Sequence, residues 1–168
     1  LYKSGSGDAQ MSSLFQSNLE GSDLSNFPLE VAYGSKLTLK NMAYGGGLLH
    51  SHIQTYPEGS HDHQVTCYHH KDENNHFIIS PTYEDPPLPA ADENIDEPPR
   101  MLKSGDVLRL VHQQLQTNLR SEAIPAPITK EAHEVGCRAS EKGADSSEYW
   151  IVEVLRDVHL GPGRPGMP

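Results

Sequence analysis

The chain has no run of about 18 apolar residues, so no part of it is built to cross a bilayer as a helix. Basic residues are scarce. Lys and Arg number 13 against 23 Asp and Glu, for a formal charge of −10 with neutral histidines. That excludes a nucleic-acid partner, because neutralising phosphates requires a face rich in Lys and Arg. There are only two cysteines, Cys67 and Cys137, and no CxxC spacing, which excludes a thiolate zinc knot. No GxSxG appears, so the usual setting of a serine nucleophile is absent. The hydrophobic fraction, 35%, is low for a globular domain, and the deficit falls in polar loops rather than in the periodic stretches. No charged-then-apolar leader opens the chain, which reads as an interior fragment or processed piece.

What is present is enough for one domain with a core. Asp8 is a candidate N-cap, and Met11, Leu14, Phe15 and Leu19 follow at helical spacing before Gly21, so a short helix is expected over residues 8–19. From residue 33 the period becomes two. Strands are expected at Lys36–Lys40, Leu48–His52, Gln64–Tyr68 and His76–Ile79, separated by turns at Gly45–Gly47, Pro57–Ser60 and Asp72–Asn75. Residues 81–99 then carry six prolines and six acids. Prolines remove backbone donors and acids resist burial, so this stretch reads as an exposed linker.

After the linker the pattern returns. Gly105, Leu119, Cys137 and Trp150 match Gly34, Leu49, Cys67 and Phe77, at offsets of 71, 70, 70 and 73 residues. Four separate matches at nearly one offset indicate an internal repeat. The expected organisation is a connecting segment at 1–30, repeat one at 31–80, the acidic linker at 81–100, repeat two at 101–157 and a tail at 158–168. A four-stranded unit with one apolar face cannot bury that face alone, and closing it with copies of itself also removes exposed edges. The fold class expected is therefore all-β, a β-trefoil with a short N-terminal helix and its third repeat missing or truncated. The cysteines occupy equivalent positions in the two repeats. They read as two buried thiols, with a disulfide in an oxidising compartment as the alternative. Trp150 is expected to fill the core of repeat two.

The run Leu48–His52, Tyr56–Ser60, Gln64–Tyr68 and Asp72–Asn75 resembles the MIR motif, and the segment from Ser4 through Leu19 is similar to the stretch that precedes this module in the second subfamily of fungal protein O-mannosyltransferases. The resemblance covers about residues 4–155 and is more specific in repeat one. It implies a β-trefoil of MIR type on the lumenal side of the endoplasmic-reticulum membrane. The parent it implies is a membrane-embedded, dimeric enzyme that moves mannose from dolichyl-phosphate-mannose to Ser/Thr. The catalytic acidic pair of that family lies outside this fragment, so no catalytic residue and no cofactor is expected here. The sequence departs from the family pattern at His76-Phe77, where Trp often follows the paired Asn. It also departs at Arg120-Ser121-Glu122, which replaces the His50-Ser51-His52 of repeat one.

The candidate ligand-binding residues are Leu49, His50, Ser51, His52, Tyr56, Gln64, Thr66, Asp72, Asn74 and Asn75. Sugar hydroxyls need mixed donors and acceptors, often beside an aromatic face such as Tyr56 or Tyr68. The alternative is that the same groups cap turns and satisfy buried backbone. Seven of the ten histidines lie between residues 50 and 76, but no acid stands at a fixed ligating spacing, so a metal site is not expected. The partner expected is a glycan or a Ser/Thr-rich acceptor polypeptide. The competing readings are a free-standing MIR protein of lumenal quality control, and a structural spacer without ligand that would show a large exposed apolar patch.

Overall fold

The structure is a computed structural model that describes residues 30–42, 46–90, 93, 96–140 and 146–155. The helix expected over residues 8–19 and the tail from 158 lie outside the described residues. Eight strands follow in order: β1 (Lys36–Leu37), β2 (Leu48–Thr55), β3 (His63–Tyr68), β4 (Phe77–Ser80), β5 (Val107–His112), β6 (Thr117–Pro125), β7 (His133–Arg138) and β8 (Trp150–Ile151). Two 3-10 turns, Glu73–Asn75 and Ser146–Glu148, precede β4 and β8. Every strand pairing is antiparallel, in the lateral order β1-β4-β5-β6-β7-β3-β2, with β8 on the remaining part of β5. Among the described residues there is no α-helix.

The internal repeat is duplicated in the registers. In the first leaf Leu37 pairs with Phe77, and in the second Leu108 pairs with Trp150. The hairpin β2–β3 sets Leu49 opposite Cys67, and β6–β7 sets Leu119 opposite Cys137. Both hairpins break register at the same place, between Ser51 and Thr55 and between Ser121 and Pro125. Side-chain alternation has period two, so a one-residue slip in either hairpin would turn its core residues outward. Gly34 and Gly105 open the two leaves with φ of 85° and 93°, a left-handed conformation that a Cβ disfavours. This is the leaf architecture of a β-trefoil.

Two apolar clusters form where the leaves meet. One centres on Tyr33, Ile79 and Leu108; the other on Phe77, Leu119 and Cys137. Leu110 and Trp150 pack against both. The Trp150 indole Nε1 donates to the Leu119 carbonyl at 2.9 Å, so its polar end is satisfied inside the core. The hairpin tips interlock through charge. Asp62, 5% exposed, lies against Gly136 of β7 and accepts from Arg138 Nε at 2.5 Å, with Arg120 Nε at 3.8 Å. Ser60 hydrogen-bonds Glu134, which is also buried. Buried carboxylates of this kind persist because each keeps a partner.

Three expectations need correction or refinement. The strand expected at Lys36–Lys40 is only Lys36–Leu37, because the chain then leaves β4: the Leu39 carbonyl accepts from Leu49 N at 2.8 Å and Lys40 bridges to Leu48. The strand expected at Leu48–His52 runs on to Thr55. The cysteines are both free, but only Cys137 is buried. β7 has β6 on one side and β3 on the other, whereas Cys67 is paired only with Leu49 and is exposed. Burial pushes the Cys137 thiol up to about 11.

Candidate functional site

The chemistry of the first leaf gathers where β2 meets the 3-10 turn. Asp72 caps that turn, its Oδ1 accepting from Asn74 N at 2.8 Å, and this sets the next residues in place. Asn75 is fully buried. Its Nδ2 donates to the His70 carbonyl at 2.8 Å, and its Oδ1 lies 2.7 Å from His50 Nδ1. His50 is 6% exposed, sits 3.6 Å from Asp72 and stacks against the Tyr68 ring at 4.4 Å. The Asn74 carbonyl reaches the second leaf, accepting from His112 Nε2 at 2.9 Å.

The ten residues singled out in the sequence separate into three groups. His50, Asp72, Asn74 and Asn75 form the cluster just described, with Thr66 exposed on β3 opposite His50. Leu49 and Ser51 belong to the interior: Leu49 packs on the Phe77–Leu119–Cys137 cluster and Ser51 is fully buried. His52, Tyr56 and Gln64 lie toward the hairpin tip. The Tyr56 hydroxyl donates to the Val135 carbonyl at 2.9 Å and accepts from Val65 N at 3.2 Å, tying one leaf to the other. Gln64 Nε2 donates to the Thr55 carbonyl at 2.9 Å. Burial, then His50 and His63, hold the His52 pKa below its ordinary value.

Beside the His50–Asn75 pair lies a cavity of about 110 Å³, lined by Thr38, Lys40, Leu48, Lys71, Asp72, Asn75 and His76. Thr38, Lys40, Lys71 and His76 were not legible as site residues in the sequence. Thr38 and Lys40 come from a distant segment, whereas Lys71 and His76 flank the recognisable Asp72–Asn75 run. Neither lysine has an ion-pair partner among the described residues. Burial, and next the Lys71 charge, lower the Lys40 pKa. No group of three or more His, Cys, Asp or Glu able to hold a metal is present among the described residues.

The second leaf carries the same positions with different chemistry. The registers equate His50 with Arg120, Asn75 with Glu148, His76 with Tyr149 and Thr38 with Arg109. Here the site is covered by the segment Pro81–Asp85. The Tyr83 hydroxyl donates to Glu148 Oε2 at 2.7 Å and lies 2.5 Å from Ser140 Oγ. The Tyr83 ring lies 4.0 Å beneath the Arg109 guanidinium, and Arg109 Nε donates to the Pro81 carbonyl at 2.7 Å. Tyr149 donates to Glu84 Oε2 at 2.7 Å and accepts from Tyr83 N at 3.2 Å.

Two four-strand leaves, each with a 3-10 turn ahead of its final strand, define the chain as a β-trefoil protein of repeated leaves. Residues 47–130 match the MIR domain family, and the chain belongs to it. Dolichyl-phosphate-mannose–protein mannosyltransferase 2 of Candida albicans is 46% identical over 159 residues, covering 94% of this chain and 20% of that protein. Protein O-mannosyl-transferase 2 of Danio rerio is 39% identical, covering 100% of this chain and 21% of that protein. Among solved structures, the Saccharomyces cerevisiae protein O-mannosyltransferase Pmt1–Pmt2 complex bound to the sugar donor superimposes with TM-score 0.65 at 28% identity, over 89% of this chain and 20% of that one. The SDF2-like protein of Arabidopsis thaliana gives 0.62 at 26% identity, over 81% of this chain and 67% of that one. The chain thus spans about a fifth of the length of the mannosyltransferases it matches.

Proposed function

We propose that this chain is the MIR recognition module of a protein O-mannosyltransferase. Its task is to hold a glycan or a Ser/Thr-bearing acceptor polypeptide near a membrane-embedded active site elsewhere in the enzyme. It works by raising the local concentration of the acceptor rather than by making or breaking bonds. The observation that carries this reading is the 46% identity, over nearly the whole chain, to one-fifth of a mannosyltransferase. The geometry supports it. The polar groups of the first leaf are anchored on a rigid turn beside an open cavity, which is how a binding site is held without a catalytic group.

In this reading the module faces the lumen of the endoplasmic reticulum and the parent works as a membrane-embedded pair. The resemblance to a two-subunit mannosyltransferase complex supports that arrangement. Titration of the 168-residue chain with mannosides and with Ser/Thr-rich peptides, followed by amide NMR, tests the recognition role. Shifts concentrated in residues 49–75 and small in residues 119–150 are expected. Equal shifts in both leaves, or none with any ligand, would contradict it.

A further inference from the structure

The second leaf holds a segment of this chain in the place where the first leaf holds an open cavity. The two 3-10 turns, each placed just ahead of its leaf's final strand, make the comparison residue by residue. Tyr83 touches Arg109, Ser140, Glu148 and Tyr149, the counterparts of Thr38, His70, Asn75 and His76. Three of those four counterparts, Thr38, Asn75 and His76, line the open cavity of the first leaf, and Lys71, next to the fourth, lines it too. The occupant of the second leaf is a bent stretch of polypeptide, Pro81–Asp85, that presents a hydroxyl-bearing side chain, Tyr83, followed by a carboxylate, Glu84, while Asp85 turns back to Thr82 and Arg100.

From this internal comparison we infer that the first-leaf cavity takes an acidic peptide, a hydroxyl-bearing side chain followed by a carboxylate, rather than a sugar ring. The inference rests on the recognition role proposed above and names the ligand class for the same site. Charge supports it. Where the second leaf has Val111 and Glu148, the first has Lys40 and the neutral Asn75, and Lys71 stands at the same rim. Both lysines lack an ion-pair partner among the described residues of a strongly acidic chain. The one acid in the lining, Asp72, is already engaged by His50 and the Asn74 amide. Glu73, just outside, accepts from Gln114 Nε2 at 2.9 Å. Size supports it as well. At about 110 Å³ the cavity admits a side-chain terminus and is well below the roughly 300 Å³ at which pockets for whole small molecules begin.

The test uses the 168-residue chain and a synthetic peptide Pro-Thr-Tyr-Glu-Asp-Pro, the sequence of residues 81–86, with methyl α-mannoside as the comparison probe. Amide shifts at Thr38, Lys40, Lys71 and Asp72 are expected with the peptide. Affinity should fall about tenfold in the Lys40→Gln, Lys71→Gln double variant, and likewise when Gln and Asn replace the peptide's acids. Lys71 is exposed and Lys40 half-buried at the cavity rim, and unchanged thermal unfolding of the variant would separate lost binding from lost folding. Peptide binding that ignores both charge changes would overturn the inference. Shifts at the first leaf with the mannoside but not the peptide would overturn it while leaving the recognition role intact. No binding of either probe would overturn both.

Discussion

His112 shows how a single residue couples the two leaves to pH. It is fully buried on β5, with Nε2 at 2.9 Å from the Asn74 carbonyl and Nδ1 accepting from Leu115 N at 3.2 Å. One ring nitrogen donates and the other accepts, so these partners specify the neutral imidazole. Burial lowers its pKa below the ordinary 6.5, outweighing the bond to Asn74, which raises it. A depressed folded-state pKa means that the unfolded chain takes up the proton first as pH falls. The stability tied to His112 is therefore present above about 6.5 and is lost as pH drops toward the folded value. Thermal unfolding between about pH 7 and about pH 5 should show a falling Tm, and His112→Gln, which keeps a donor for Asn74, should flatten that slope. An unchanged slope in the variant would assign the effect to other groups, His52 first among them, since its pKa is also lowered.

At the scale of elements, the two hairpins are alike in register and unlike in what lies against them. Asp62 at the tip of the first hairpin sits over Gly136, where an added Cβ would come 2.6 Å from the Asp62 Cβ. The matching position in the first leaf is Thr66, exposed, with no hairpin over it among the described residues. Gly136→Ala should therefore cost about 1–3 kcal/mol in denaturant unfolding, because the docked hairpin must shift. Thr66→Ala should stay within about 0.5 kcal/mol.

The repeat was legible in the sequence because Leu49, Val65 and Cys67 recur as Leu119, Val135 and Cys137 at one spacing, and spacing is what register preserves. The Gly136 for Thr66 exchange was visible too, but its reason was not, since the packing that requires glycine comes from Asp62, far away in the chain. The anchoring of Tyr83 was hidden in the same way. Prolines and acids describe the average solvation of a segment, and they say nothing about one aromatic ring reaching Glu148 across the fold. The first-leaf polar cluster was legible through its Asp72–Asn75 run, whereas Lys40 reaches the cavity from a segment that carries no motif and Lys71, though next to the run, was not singled out by it.

For the whole molecule, the two leaves share one backbone plan and differ in openness. In the second, Tyr83 of the Pro81–Asp85 segment lies against the 3-10 turn and β3 flanks β7, while the first presents an exposed strand and a cavity at its turn. The proposed recognition role of the first leaf rests on that difference, and the chain carries a native reporter of it at equivalent positions. Cys67 is exposed, and Cys137 is buried with its thiol pKa raised to about 11, so its reactive thiolate is scarce as well as covered. Labelling of the folded, reduced chain with a thiol reagent, mapped by mass spectrometry, tests this directly. Modification of Cys67 alone, with Cys137 reacting only on unfolding, is the result predicted. Equal labelling of both cysteines, or faster labelling of Cys137, would contradict the distinction between an open and a closed leaf.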